Sequence, residues 1–230
     1  MDINLAAKRF LIARGLRPSY FLESLSQFLR FGEYVELSGL KQAPGFAERF
    51  LLYDHVQKTV IGSAAIDYLE FGVYKGASIR QWAELNQNGD SRFTGFDSFE
   101  GLPERWQHAT RTLSAGFFST GGSTPDLADT RVRFVKGLFQ TTLENFLHQS
   151  PPKNQLVVHM DADLYSATFY VLSVLHPFLK PGTIVLFDEF CSFNSEFRGY
   201  LDYAQCFYRK FAVLGHAGKL YHQVALRVTE

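Results

Sequence analysis

The sequence predicts a doubly wound α/β fold, a mostly parallel sheet with helices on both faces. Three observations predict it. From residue 65 onward, short apolar runs alternate with amphipathic stretches. The runs lead into glycines or acids, which is how the carboxyl edge of such a sheet usually reads. The chain closes with two β-prone segments around a short turn.

Composition sets the bounds. The 230 residues are 46% hydrophobic, enough for a sizeable single core. The 23 basic and 23 acidic residues cancel, which argues against a nucleic-acid partner. Two cysteines, Cys191 and Cys206, make no disulfide framework; both read as plain buried residues of a protein in a reducing compartment. The amino terminus has an early Asp2 and no signal-peptide core, and no run reaches the ~20 apolar residues of a membrane span. A soluble cytoplasmic protein with no membrane partner is expected.

Residues 1–60 read as a helical cap ahead of the sheet, which occupies residues 61–230. Residues 19–31 and 46–60 carry apolar side chains at helical spacing, and residues 38–45, with two glycines and a proline, read as a loop. Tyr20, Phe21, Phe28, Phe31, Phe50 and Tyr53 read as core, and His55 as a surface residue. The cap could cover a ligand site or form the surface of a homodimer.

The first strand covers residues 65–71, with Ile66, Tyr68 and Leu69 as β-formers. It runs into Glu70, Gly72 and Gly76 at E-x-G-x-x-x-G spacing. Gly72 permits a sharp turn and a close approach, Gly76 lets the next helix pack near the strand, and that helix offers free N–H groups from residue 77 or 78. The spacing is not the G-x-G-x-x-G of dinucleotide sites. A ligand cradle and a plain strand-to-helix turn both fit it.

The second strand, residues 92–96, ends in Asp97. An acid here can accept both hydroxyls of a ribose, or cap the turn Asp97-Ser98-Phe99-Glu100-Gly101-Leu102-Pro103. Residues 104–130 follow as a long Gly/Ser/Thr-rich tract of the kind that forms a lid. It holds His108, a candidate general base or an exposed loop histidine. The third strand is 131–136, with Gly137, Leu138 and Phe139 at its carboxyl end, where a flat base could lie. A helix follows at 141–148.

The fourth strand, 155–160, runs into Asp161 and Asp163. The fifth, 183–187, is announced by Lys180-Pro181-Gly182 and ends in Asp188 and Glu189. A parallel sheet gathers these acids at the edge that holds Glu70 and Asp97. Carboxylates brought together repel, and a divalent cation relieves that; all-oxygen ligands select Mg²⁺, Ca²⁺ or Mn²⁺ over zinc. The acids could instead cap helix amino termini. His159 shares the strand face of Asp161 and fits a base, a support for a metal ligand or a core histidine. A helix over 194–208, capped by Asn194 or Ser195, precedes strands at 210–214 and 223–228. Five parallel strands and an antiparallel hairpin make seven.

The segments LEFGVYKGASI, GFDSFEGLP, VKGLFQTTL, HMDADLYSAT and PGTIVLFDE stand in this order. Together they resemble the class I S-adenosylmethionine-dependent methyltransferases, and more narrowly the macrocin O-methyltransferase-like family, which methylates sugar hydroxyls of macrolides. The resemblance covers about residues 65–189 and implies a Rossmann-like methyltransferase sheet. It implies that Glu70, Gly72 and Gly76 line the methionine end of S-adenosylmethionine, that Asp97 binds its ribose, and that Ser98 and Gly137 lie near its adenine. It also implies a Mg²⁺ held by Asp161, Asp188 and Glu189, although the family commonly has a second Asp where this chain has Glu189. Its catalytic histidine matches His108 loosely. The expectation is an O-methyltransferase acting on a hydroxyl of a small-molecule acceptor, a sugar or vicinal diol of a natural product. Asp161 would orient the acceptor through the metal, and His108 or His159 would take the proton. Two alternatives stand: a metal-dependent glycosyltransferase using Asp161-Ala162-Asp163, and a non-catalytic cofactor-binding protein.

Overall fold

The computed structural model describes residues 20–107 and 112–230. Its strands are β1 (Gly45–Phe46), β2 (Ile66–Phe71), β3 (Arg92–Asp97), β4 (Trp106–Gln107), β5 (Thr112–Leu113), β6 (Val132–Lys136), β7 (Gln155–Met160), β8 (Ile184–Phe187), β9 (Phe211–Ala217) and β10 (Gln223–Val228). Its α-helices are α1 (Tyr20–Leu37), α2 (Arg49–Val56), α3 (Ala77–Leu85), α4 (Phe139–Gln149), α5 (Tyr165–Leu175) and α6 (Glu196–Cys206).

The main sheet runs β1-β9-β10-β8-β7-β2-β3-β6. The five central strands β8, β7, β2, β3 and β6 are mutually parallel. β10 lies antiparallel to both β8 and β9, so the expected closing hairpin is present. All seven expected strands form. An eighth, β1, joins the outer edge parallel to β9 where the sequence reads the end of a loop at Gly45 and the start of a helix at Phe46. Gly45 permits it, because a Cβ there would stand 2.8 Å from the His216 ring. Two residues of pairing leave no alternation to read. β4 and β5 form a separate antiparallel pair within the long tract.

β2 is buried along its whole length, as a central parallel strand should be. The alternation of its side chains splits the core in two. Leu69 and Phe71 face a layer formed by α4, α5 and α6, with Leu143, Val171, Leu175 and Tyr203 among its members. Tyr68 faces the opposite layer, where α2 and α3 supply Leu52, Tyr53, Ile79 and Trp82. α1 adds to the first layer: Phe31 meets Phe197 edge-on at 5.0 Å, and Tyr34 bonds the Tyr200 hydroxyl at 3.1 Å. These contacts carry α1 past residue 31, the expected end, to Leu37; Gly39, with φ 82, follows.

Several expectations about single residues are corrected. Tyr20, Phe21 and Phe28, expected in the core, are exposed on α1, while Phe31 and Tyr53 are buried. Cys206 is exposed, at the last position of α6, while Cys191 is half-buried. His55 lies tilted against Phe46, ring centroids 5.0 Å apart, and is half-buried, because β1 brings Phe46 beside α2. Among the described residues no helix is long and apolar enough to cross a membrane.

Candidate active site

The sheet register delivers one residue from each of five strands to a single row. Phe71 stands opposite Phe96 and Met160, and Met160 opposite Phe187. One residue on, Gly72 N donates to Phe96 O at 3.0 Å, Asp161 N to Phe71 O at 2.9 Å, and Asp188 N to Met160 O at 2.9 Å. Gly137 N donates to Asp97 O at 3.0 Å on the other side. Gly72, Asp97, Asp161, Asp188 and Gly137 therefore stand side by side, and all line one cavity of about 410 Å³. That volume suits a cofactor-sized ligand. Ser98 and Glu189 also line it; Glu70, Gly76 and His159 lie outside the lining.

Asp97 shows why the row holds its shape. Its Oδ2 accepts from the N–H groups of Val73 and Tyr74, each at 2.8 Å, and its Oδ1 from Phe99 N at 2.7 Å. The carboxylate thus ties the glycine turn after β2 to the acid turn after β3. A carboxylate has about four acceptor positions, so it retains capacity for a ligand hydroxyl. Gly72 has φ +93, and a Cβ there would lie 1.9 Å from the Asp161 carbonyl oxygen. Its missing side chain admits the neighbouring backbone, where the sequence suggests an approach to ligand. Gly76 has φ +75 and would place a Cβ 3.0 Å from Pro125. It touches the long tract, where the sequence suggests contact between helix and strand.

That tract folds back over the acid turn. Leu102 N donates to Phe117 O at 2.9 Å and Gly122 N to Phe99 O at 2.8 Å, which brings Phe118 to the cavity wall beside Leu102. His108 lies outside the described residues.

Glu70 and His159 face the α2/α3 layer instead of the cavity, directly opposite one another across β2 and β7. Tyr68 donates to Glu70 Oε2 at 2.5 Å, and its oxygen lies 2.6 Å from His159 Nδ1. With the Tyr68 hydrogen committed to Glu70, Nδ1 must be the donor to Tyr68. Nε2 then accepts from the Tyr53 hydroxyl at 3.3 Å. Burial pushes Glu70 up to about 8 and His159 down to about 4. His159 is a neutral histidine with both nitrogens bonded.

The acids after β7 and β8 carry a different environment. Burial, and then the neighbouring charges of Asp188, Asp163, Glu196 and Glu70, hold the Asp161 carboxyl well above the usual carboxylate range. Asp188 receives Arg49 Nη1 at 3.1 and 3.3 Å. Glu189 lies 3.0 Å from His222 Nε2. Among the described residues, one group of His, Cys, Asp and Glu has ligand atoms all within 4.8 Å of one another: Glu189, Cys191 and His222. Asp161, Asp188 and Glu189 share the cavity wall at wider spacing.

Sequence reasoning missed two side chains here. Glu196 opens α6 and its carboxylate accepts from Ala162 N at 3.1 Å, Asp163 N at 3.3 Å and Glu189 N at 2.9 Å, bracing both acid turns from behind. An acid at a helix start normally reads as a partner of the helix's own amides, so no local signal marks this use. Arg49 reaches Asp188 across 139 positions of chain, a distance over which spacing says nothing.

The match to known proteins follows this geometry. The chain spans about half the length of the curated relatives with the longer matches. A tetracenomycin-type relative from Streptomyces olivaceus, 8-demethyl-8-(2,3-dimethoxy-alpha-L-rhamnosyl)-tetracenomycin-C 4'-O-methyltransferase, is 33% identical over 146 residues, 54% of this chain and 52% of the relative. Demethyldecarbamoylnovobiocin O-methyltransferase of Streptomyces niveus is 26% identical over 141 residues, again 54% of this chain and 52% of the relative. Among solved structures, CalS11, a calicheamicin methyltransferase, superposes with a TM-score of 0.62 at 21% identity, over 92% of this chain and 94% of that one. The O-methyltransferase NovP gives 0.59 at 22% identity, over 79% and 80%. Both likenesses are of fold. The family model described as a methyltransferase domain matches residues 69–190, from β2 through the acids after β8, and the chain belongs to that family.

Proposed function

We propose that this protein is an S-adenosylmethionine-dependent O-methyltransferase, assisted by a divalent cation, that acts on a hydroxyl of a small-molecule acceptor such as a sugar or vicinal diol of a natural product. The observation that carries the reading is the single row of Gly72, Asp97, Gly137, Asp161 and Asp188 along one cavity. The family match supports it, as do the names of relatives that methylate natural-product oxygens. It also sets the Asp161-Ala162-Asp163 glycosyltransferase alternative aside. We read residues 1–60 as a helical cap on a methyltransferase domain of 61–230, with a homodimer as the working assembly.

The residues fit the groups this reading needs. The cavity joins the Asp97 carboxylate to the apolar Leu102, Phe118 and Phe139, which suits a nucleoside. Asp97 would accept the ribose hydroxyls, Ser98 and Gly137 would border the adenine, and the turn of Gly72 would border the methionine end. Glu70 and Gly76 support that turn from outside the lining. Asp161, Asp188 and Glu189 offer oxygen donors alone from these side chains, the chemistry of a Mg²⁺ site. The cofactor supplies an activated methyl on a sulfonium, and the cation supplies Lewis acidity that lowers a hydroxyl pKa.

The chain's own contribution is positioning. Asp97 and Glu196 hold the turns that fix the cavity's shape, and a preset alignment of this kind can lower a barrier by ~7–11 kcal/mol. Apolar walls at Phe118 and Leu102 would shield the bound ligand from water. His159, with both nitrogens engaged and the cavity out of reach, is left as a structural element of this reading, and His108 as the base. Titration of S-adenosylhomocysteine into the protein, in Mg²⁺ and then in EDTA, tests the reading. Micromolar binding in both buffers is the expected result, and binding in neither would overturn it.

A further inference from the structure

Arg49 is the first residue of α2, and its guanidinium reaches the cavity wall. Nη1 donates to both oxygens of Asp188, at 3.1 and 3.3 Å. The same charge also acts on Asp161 and Glu70. α2 is held from beneath by the buried Leu52, Tyr53 and Val56, so the position of Arg49 is set by the core. Its side chain is 30% exposed and that of Asp188 10%. The other cation of the lining, Lys75, instead lies 5.1 Å from the Tyr74 ring centroid.

The acid edge has one electrostatic need, a positive charge among Asp161, Asp163, Asp188 and Glu196. A divalent cation and a guanidinium both answer it. At Asp188 they would share the same two oxygens, each of which already faces Arg49 Nη1, so the two positive charges would stand side by side and repel. Resting on the metal-assisted reading above, we propose that Arg49 is a tethered competitor of the divalent cation. It neutralises Asp188 when no ion is bound. It yields at least one Asp188 oxygen when the ion enters, and so sets the affinity of the site. A guanidinium keeps its charge at any working pH, so the competition is built in and is relieved only by movement of the side chain. Arg49 acts here as a positioning residue toward the metal.

The test is a calorimetric titration of Mn²⁺ into the full chain and its R49Q, R49K and D188N variants, with thermal unfolding alongside. R49Q is expected to bind Mn²⁺ about tenfold or more tightly than the unaltered protein, since a neighbouring like charge has been removed. R49K, which keeps the charge as a compact ammonium on a flexible stem, should fall between them. Without metal the R49Q Tm should drop, and Mn²⁺ should raise it by more than it raises that of the unaltered protein. D188N should lose Mn²⁺ binding. Equal or weaker Mn²⁺ binding by R49Q would overturn the competition while leaving the metal reading intact. Mn²⁺ binding to none of the proteins would overturn both. Should R49Q fail to unfold cooperatively, the R49K affinity decides the matter in the same direction.

Discussion

Asp97 is both a turn brace and a candidate ribose ligand, and one substitution separates these uses by magnitude. Asp97→Ala removes the acceptor for three backbone N–H groups. Each unmet donor costs ~1–3 kcal/mol where water cannot replace it. S-adenosylhomocysteine affinity should fall at least tenfold, read by calorimetry at a temperature where the variant is folded. Lost stability with full affinity would leave Asp97 a brace alone. Glu70 makes a separate prediction. Its carboxyl titrates near 4.5 when unfolded and at about 8 when folded. The folded state therefore binds the extra proton between those values, and stability is lost as pH rises through that window. Glu70→Gln keeps an acceptor for Tyr68 and removes the titration. The variant's stability in urea should gain on that of the unaltered protein from pH 5 to pH 8, by several kcal/mol in order of magnitude. Parallel curves would mean that Glu70 ionises as freely inside as outside. At this scale the acids at strand ends were legible, because strand ends are marked in sequence. The partners Arg49 and Glu196 were not, because each lies on an element whose placement depends on the whole sheet.

The elements divide in the same way. β2, β3, β6, β7 and β8 fell within one residue of their sequence-based bounds, since buried parallel strands are short apolar runs with clear stops. α1 runs past residue 31, where the expected apolar spacing ends, through Gly32 to Leu37, carried by packing. Phe31 just before Gly32 and Tyr34 beyond it lock onto Phe190, Phe197 and Tyr200. Phe31→Ala should cost ~3–5 kcal/mol, the range for an aromatic removed from a packed core. Urea unfolding measures the loss, and hydrogen exchange should show it concentrated in α1. A uniform loss across the sheet would mean that α1 and the sheet unfold as one unit.

At the scale of the whole molecule, α1 has a second face. Phe21, Leu22, Phe28 and Leu29 are 70%, 63%, 54% and 62% exposed. An exposed apolar patch of this kind marks a contact surface, and the homodimer reading uses it. Leu29→Glu should shift the mass by light scattering from dimer to monomer without loss of fold; a monomeric unaltered protein would refute the assembly.

At Gly72 the fold constrains any attempt to rebuild the cavity. With no room for even a methyl group between this glycine and the Asp161 carbonyl, the loop after β2 and the loop after β7 are one mechanical part. A chimera that imports either loop from a relative would inherit half of a matched joint. Grafts that move the two loops together should give active hybrids, while single-loop exchanges should give misaligned ones.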